Sequence, residues 1–426
     1  MRITITTVGT RGDVQPFVAL GKGLQAAGHD VLLCTHRIFA DFVAAHGLEL
    51  YPIEMDPREM LVDQNVAEFG NDLRRQMAWF REHYGHWMAV AFEMTLAVTE
   101  QTDFLLTAAL NPAAYSVAQY RKLPVLTASL QPTIPTRAFH SFMSPPPPAW
   151  LPCKGLYNYA STKLSNQMFF GVTRPLVNRQ RADQLGLPPL GWRYYWQIDT
   201  GPTPLLYGYS PAVLPKPDDW DAHKHVCGYW FLDDGVAYEP PADLRAFLAA
   251  GPPPVYIGFG SNVEHEAEAI TRLIVAAVEL AGVRAVLAGG WSGLGATDLP
   301  DTILPSDGVP HDWLFPRMAA LVHHGGAGTT AEGLRAGVPG VVVPFYADQP
   351  FWGWVVERLG VGPSPIPRQR LTAEALAHAI RIAVTHGPLH ARAADLGARI
   401  RAEDGVAEAI RLIEHYAAHD RAALMI

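Results

Sequence analysis

The 426-residue chain has only three cysteines, Cys34, Cys153 and Cys227, far apart and odd in number. That excludes a disulfide framework and a cysteine-built zinc site, and predicts reduced thiols. No run of about 18 apolar residues occurs, so no segment is expected to span a bilayer. The start, "MRITITTVGT", lacks the longer apolar core and small-residue cleavage site of a secretory leader. A cytoplasmic protein with at most peripheral membrane contact is expected. Lys and Arg total 33 against 41 Asp and Glu, and no stretch concentrates the basic residues. A net charge of −8 therefore argues against a nucleic-acid partner.

What is present is a globular composition, with 49% apolar and 17% charged residues, long enough for two domains. Residues 2–8 alternate Ile3 and Ile5 with threonines and read as a strand. Pro16 suits a first helical position, and Phe17, Leu20, Leu24 and Ala27 follow at helical spacing up to Gly28. "VLLCT" (31–35) is a second, continuous apolar strand, completing the βαβ unit of a parallel sheet. "FLLTA" (104–108) and "VLTAS" (125–129) repeat the signal. Between them, 55–100 holds two amphipathic aromatic stretches, while 132–152 is too proline-rich for sheet or helix interior.

A second α/β series follows a proline-studded connection. Strands are expected at 254–261, 284–290, 319–324 and 340–345, and helices at 266–281, 329–337, 371–384 and 389–415. The expected class is α/β, with two Rossmann-like domains whose strand ends face across a cleft. The boundaries are 1–209, a linker at 210–223, and 224–426, the final helix being a candidate to pack back on the first domain.

Two loops carry chemistry. "GTRGDVQP" (9–16) places Arg11 and Asp13 between the first strand and the first helix. Asp13 reads either as a helix cap or as a reactive carboxylate. "HHGGAGTT" (323–330) lies between a strand and a helix, where amides, the positive dipole end and a histidine suit an anion. The bland alternative is a plain capped helix with core histidines. "GAGTTA" (326–331) also fits the dinucleotide pattern, with Asp348 twenty residues past Gly328, which keeps an NAD(P)-dependent oxidoreductase in view. The fingerprint's late position and the crowding of paired histidines count against it. Asp348 and Gln349, an acid beside an amide, suit vicinal sugar hydroxyls.

Residues 309–352, "VPHDWLFPRMAALVHHGGAGTTAEGLRAGVPGVVVPFYADQPFW", resemble the donor-binding region of GT-B nucleotide-sugar glycosyltransferases. The resemblance is to the sterol glucosyltransferase branch and to bacterial natural-product glycosyltransferases. "GTRGDVQPFVALGKGLQAAGH", "PTIPTRAF" and "PAVLPKPDDWDAHKHVCGYWFLDD" extend it over nearly the whole chain. It implies an inverting, metal-independent hexosyltransferase with an N-terminal acceptor domain and a C-terminal donor domain. No cofactor is expected; a nucleotide-sugar, UDP-glucose in the first instance, is the co-substrate.

Carried over, the resemblance places Val309, His311, Leu321 and Trp291 about the base. His324, Ala327, Gly328 and Thr329 meet the diphosphate, with Ser261, Thr10 and Arg11 approaching it, and Asp348 and Gln349 hold the sugar. Glu332 stands where related families bind ribose, or faces solvent. Asp13 becomes the general base, since the matching loop has no histidine. His36 and the other scattered histidines read as exposed or structurally satisfied.

Aromatics on the first domain's insertions suit a flat, lipophilic acceptor such as a sterol. Trp79, Trp87, Phe139, His140, Phe142 and Trp150 are the candidates. The alternative acceptor is a polyketide, macrolide or glycopeptide with a UDP- or dTDP-sugar; a non-catalytic nucleotide-sugar or lipid binder is the other class.

Overall fold

The structure is a computed structural model that describes residues 1–56, 73–109, 111–192, 203–233, 238–260, 267–289, 299–419 and 421–425. The side chains of 73–83 and 421–422 are not among them. The chain divides into two compact units: Met1–Tyr209 with Lys216–Phe231 and Asp404–Ile426, and Ser210–Pro215 with Leu232–Glu403. The first unit thus takes residues 216–231 and 404–426, beyond the division expected at 210–223.

In the first unit the strands are β1 (Arg2–Thr6), β2 (Asp30–His36), β3 (Glu49–Ile53), β4 (Phe104–Ala108), β5 (Val125–Ser129), β6 (Leu205–Tyr207) and β7 (Lys224–Val226). They form one sheet in the order β3-β2-β1-β4-β5-β6-β7, every pair parallel. Ile5 pairs in register with Leu33 and Leu106, and all three are fully buried. Each such side chain contributes about 1.5–3 kcal/mol of apolar burial. The crossovers include α1 (Arg11–Ala26), α2 (Ala40–Ala45), α3 (Leu73–Val98), α4 (Pro112–Arg121) and α5 (Lys154–Leu185). The helix Gly405–His419 joins this unit beside α1. Its Tyr416 hydroxyl meets His225 Nε2 at 2.8 Å and His223 Nδ1 at 3.2 Å, tying it to the β7 edge.

The proline-rich segment after β5 has few backbone partners of its own, so side chains fix it. Asp219 accepts from Thr136 Oγ1 at 2.6 Å and from the Arg137 N–H at 2.8 Å. Asn158 and Asn166 on α5 donate to the carbonyls of Arg137 and Thr133, each at 3.0 Å.

In the second unit, β8 (Val255–Gly258), β9 (Ala285–Ala288), β10 (Ile303–Pro305), β11 (Ala320–His323) and β12 (Gly340–Val342) form a parallel sheet in the order β10-β9-β8-β11-β12. Its helices include α6 (Ala242–Ala249), α7 (Ala267–Ala281), α8 (His311–Leu314), α9 (Ala327–Ala336), α10 (Gln349–Leu359), α11 (Ala373–Thr385) and α12 (Gly387–Arg401). Ile274 on α7 and Ile380 on α11 pack into one core with Val255, Ile257, Val322 and Val341.

Two expectations are corrected. Pro16 does not open α1; the helix begins at Arg11, because Thr10 and Asp13 cap it there, and Pro16 forgoes one internal hydrogen bond. The helix expected over 389–415 is two, broken after Arg401, with Asp404 Oδ1 accepting from the Ala407 N–H at 3.0 Å to start the second. Among the thiols, Cys34 and Cys227 are buried, and burial pushes each up to about 12. Cys153 is exposed at the N-terminal cap of α5.

Candidate functional site

In the first unit, β1 leaves the sheet through Val8, Gly9 and Thr10 into α1. Thr10 is the N-cap, and Asp13 turns back so that Oδ2 accepts from the Thr10 N–H at 2.9 Å and from Thr10 Oγ1 at 3.2 Å. This reciprocal capping box satisfies helix-end donors and fixes the carboxylate. Gly9 has φ of +127°, and a Cβ there would lie 2.4 Å from Asp13 Oδ2, so glycine is required on both counts.

The Gly9 N–H donates to His36 Nε2 at 3.0 Å, and His36 Nδ1 donates to the Met55 carbonyl at 2.7 Å. Accepting at Nε2 fixes the neutral tautomer with the proton on Nδ1. Burial lowers the His36 pKa, against the opposing pull of the Met55 carbonyl and Asp56. Sequence reasoning set this residue aside. The signal was register: Thr6 pairs with Cys34, which brings the end of β2 beside the β1 loop. Arg11, expected near phosphate, has its guanidinium 4.5 Å from the Phe42 ring centre and donates to Gln15 Oε1 at 3.1 Å.

In the second unit, β11 ends at His323 and α9 begins at Ala327. His323 Nδ1 accepts from the Gly325 N–H at 3.1 Å and shapes the turn. Burial, then the neighbouring His324 and His311, lowers its pKa to about 3. His324 is 9% exposed, and its Nδ1 has no hydrogen-bond partner among the described residues. A Cβ on Gly260 would lie 2.6 Å from its Cε1, and one on Gly326 would lie 2.4 Å from its Nε2. Two glycines thus make the slot for the ring, and burial lowers its pKa to about 4, leaving it neutral near pH 7.

Gly326, the N-cap of α9, has no side chain to cap with. The Ala327, Gly328 and Thr329 amides belong to the first turn, where no intrahelical acceptor exists, and these residues are half-buried. A buried imidazole beside a helix start with a glycine N-cap has the donors that suit an anion.

Around it, His311 stacks on Phe315 (4.2 Å, 15°), with its Nε2 3.5 Å from the Tyr256 hydroxyl, and Val309 packs at the edge of the same cluster. Leu321, expected as an apolar wall, is fully buried in that cluster and supports the site from within the sheet rather than lining it. Asp348 caps α10 and accepts from Trp352 Nε1 at 3.0 Å. Gln349 is buried, its Oε1 accepting from the Phe345 and Tyr346 amides at 2.8 and 3.2 Å. Both therefore also shape the loop in which Ala347 has φ of +55°. Glu332 does not face solvent: it is buried, with Oε2 3.9 Å from Arg335. Ser261 and Trp291 lie outside the described residues.

Among the acceptor candidates, Trp87 is half-buried against Tyr84, and Phe142 is also half-buried. Phe139 is buried edge-on to Trp220, His140 is buried, and Trp150 stands on the surface. The side chain of Trp79 lies outside those described. Among the described residues no group of three or more His, Cys, Asp and Glu is placed to hold a metal, and no helix is long and apolar enough to cross a membrane.

Residues 3–138 match the family model of the glycosyltransferase family 28 N-terminal domain. Residues 283–415 match that of the erythromycin biosynthesis protein CIII-like C-terminal domain. Over 97% of its length the chain is 37% identical to a sterol 3-beta-glucosyltransferase of Aspergillus clavatus, of which it spans only 29%. Over 96% of its length it is 36% identical to sterol 3-beta-glucosyltransferase UGT80B1 of Arabidopsis thaliana, spanning 67% of that protein. In structure it is similar to the calicheamicin glycosyltransferase CalG4, with a TM-score of 0.70 at 18% identity, covering 98% of each chain. That likeness establishes the GT-B fold.

Proposed function

The chain belongs to the glycosyltransferase family of the sterol 3-beta-glucosyltransferases, and from that premise we propose that it transfers glucose from UDP-glucose to the hydroxyl of a sterol-like acceptor, with inversion and without a metal. The observation that carries the reading is the buried His324 imidazole, whose Nδ1 has no partner among the described residues, beside the start of α9, whose N-cap is a glycine.

The reaction has two electrostatic demands. Negative charge grows on the departing nucleoside diphosphate as the anomeric C–O bond breaks. Amides fixed at a helix start, with a neutral imidazole N–H, stabilise that charge without reorganising at the moment of reaction. The acceptor hydroxyl is a poor nucleophile and needs its proton taken as it attacks. Asp13 takes that role: its carboxylate is oriented through Oδ2 by Thr10, and Gly9 leaves room above it. Attack opposite the leaving group turns an α-linked donor into a β-glycoside. Asp13 belongs to the first unit and His324 to the second. Val309 and His311 are assigned to the base, and Asp348 and Gln349 to the sugar, over and above their structural bonds.

The test is a matrix of UDP- and dTDP-sugars against sterols and polyketide aglycones, read by product mass. A hexosyl sterol formed from UDP-glucose is expected. Thermal stabilisation by NADH but by neither UDP nor dTDP would favour the oxidoreductase instead. Stabilisation by a nucleotide with no product from any acceptor would leave a binder.

A further inference from the structure

Parallel strands are joined by evenly spaced hydrogen bonds, alternate residues of one strand donating to alternate residues of the next. Between β1 and β2 the ladder runs on past Thr6, with the Thr7 N–H donating to the Cys34 carbonyl at 3.1 Å. Two residues on, the next rung would join the Gly9 N–H to the His36 carbonyl. The Gly9 N–H goes instead to the side chain, His36 Nε2 at 3.0 Å, while the backbone turns off into the short helical turn Arg37–Phe39. The imidazole takes over from a carbonyl where the strand has ended. Its other nitrogen donates at 2.7 Å to the carbonyl of Met55, just beyond β3. One fully buried ring, with Phe39 edge-on at 6.5 Å, thus bolts the β1–α1 turn to the segment that follows β3.

What the bolt holds is the turn that carries Asp13. A Cβ on Gly9 would lie 2.4 Å from Asp13 Oδ2, and that oxygen accepts from the next amide, the Thr10 N–H, at 2.9 Å. Gly9 therefore lies between the imidazole and the carboxylate. Thr7 Oγ1 donates to the Asp13 carbonyl at 3.1 Å and ties the turn from the strand side. A glycine has the most conformational freedom to lose, so a fixed Gly9 needs a restraint from outside itself. The bond to His36 supplies it. A residue present only for bulk would need no polar atom here, yet both ring nitrogens are committed to backbone groups of two different loops.

We propose that His36 is the positioning residue of this turn: by accepting the Gly9 N–H it sets where the Asp13 carboxylate stands against the acceptor hydroxyl. This role rests on the reading of Asp13 as general base. The experiment is a double-mutant cycle on the whole chain, following kcat, acceptor KM and hydrogen exchange of the peptide that contains Gly9. His36→Asn keeps a donor for Met55 but falls short of Gly9. A misplaced base costs rate rather than binding, so kcat should fall about 10- to 10²-fold at an acceptor KM within about twofold of wild type. The Gly9 peptide should exchange faster. His36→Gln does the opposite, reaching Gly9 with an amide oxygen and giving up Met55, and should keep kcat within about threefold of wild type. In the Asp13→Asn background His36→Asn should slow turnover no further, because the group it positions is already gone. A His36→Asn enzyme with wild-type kcat, a Gln variant as slow as the Asn one, or a full second loss in the Asp13→Asn background would each overturn the positioning role. Asp13→Asn at wild-type turnover would instead sink the general-base reading and the role with it. Faster exchange in His36→Asn would then leave the ring as a structural bolt alone.

Discussion

Two turns in this molecule lead from a parallel strand through glycine into a helix, and they are finished in opposite ways. After β1, the carboxylate of Asp13 folds back on Thr10, while His36 takes the Gly9 amide. The helix start is capped by its own side chains. After β11, the N-cap is Gly326, which has no side chain to cap with, and the buried His324 leaves Nδ1 without a partner among the described residues. A self-satisfied turn gains stability and holds a reactive group still. An unsatisfied one gives up stability and leaves its donors for a ligand. On the proposed reading, the same local architecture serves positioning in one unit and binding in the other.

The largest expected effect breaks the first turn. Asp13→Asn keeps an oxygen that can accept the Thr10 amide but cannot take a proton, so kcat should fall about 10²- to 10⁴-fold with stability nearly intact. Asp13→Ala should lose the same activity and about 1 kcal/mol besides, read by urea unfolding. Near wild-type turnover in the Asn variant would reduce this turn to a cap. Next comes His324→Ala, for which transfer should drop about 10²- to 10³-fold. Stabilisation by UDP should fade in parallel. Unchanged UDP stabilisation would make the second turn as self-contained as the first.

Smaller is a pH effect confined to the second turn. Burial holds His323 and His324 near 3 and 4, against 6.5 when unfolded. The unfolded chain therefore binds more protons, and stability falls as pH drops below about 6.5 toward the folded values. The slope reaches about 1.4 kcal/mol per pH unit for each histidine. His324→Phe should flatten it in denaturation curves between pH 7 and 5. The smallest effect belongs to Arg11→Ala: loss of its Phe42 contact should cost about 0.5–1 kcal/mol and alter turnover only a few-fold. A hundredfold fall in turnover would return Arg11 to the phosphates.

Two strands, each one apolar run bounded by turn residues, were legible to the residue, and the other expected strands to within a few residues. "FLLTA" and "VLTAS" are β4 and β5 as read. β3 escaped because Pro52 interrupts "ELYPI" on an edge strand, and β6 and β7 because three residues carry no period. α5 escaped for a deeper reason: pattern reading assumes an apolar buried face, and this helix buries Asn158, Thr162, Lys163, Thr173 and Arg181 among Phe170, Val177 and Leu185. Both candidate loops could be placed from their glycines and neighbouring elements. The slot around His324 could not, because Gly260 comes from a loop more than sixty residues earlier. Only the β8–β11 pairing, with His323 opposite Gly258, brings it there. The dual duty of Gln349, whose carbonyl oxygen is taken by two backbone amides, is likewise a matter of folded geometry.

Cys153 is the one exposed cysteine of three, and the other two are buried with thiols that resist ionisation. A maleimide dye or nitroxide applied to the unaltered protein should therefore attach at a single point. That point is the foot of α5, within a turn of the exposed Leu156. The molecule comes with a built-in reporter: the colour of the dye would tell how wet that end of the helix is, without replacing any residue.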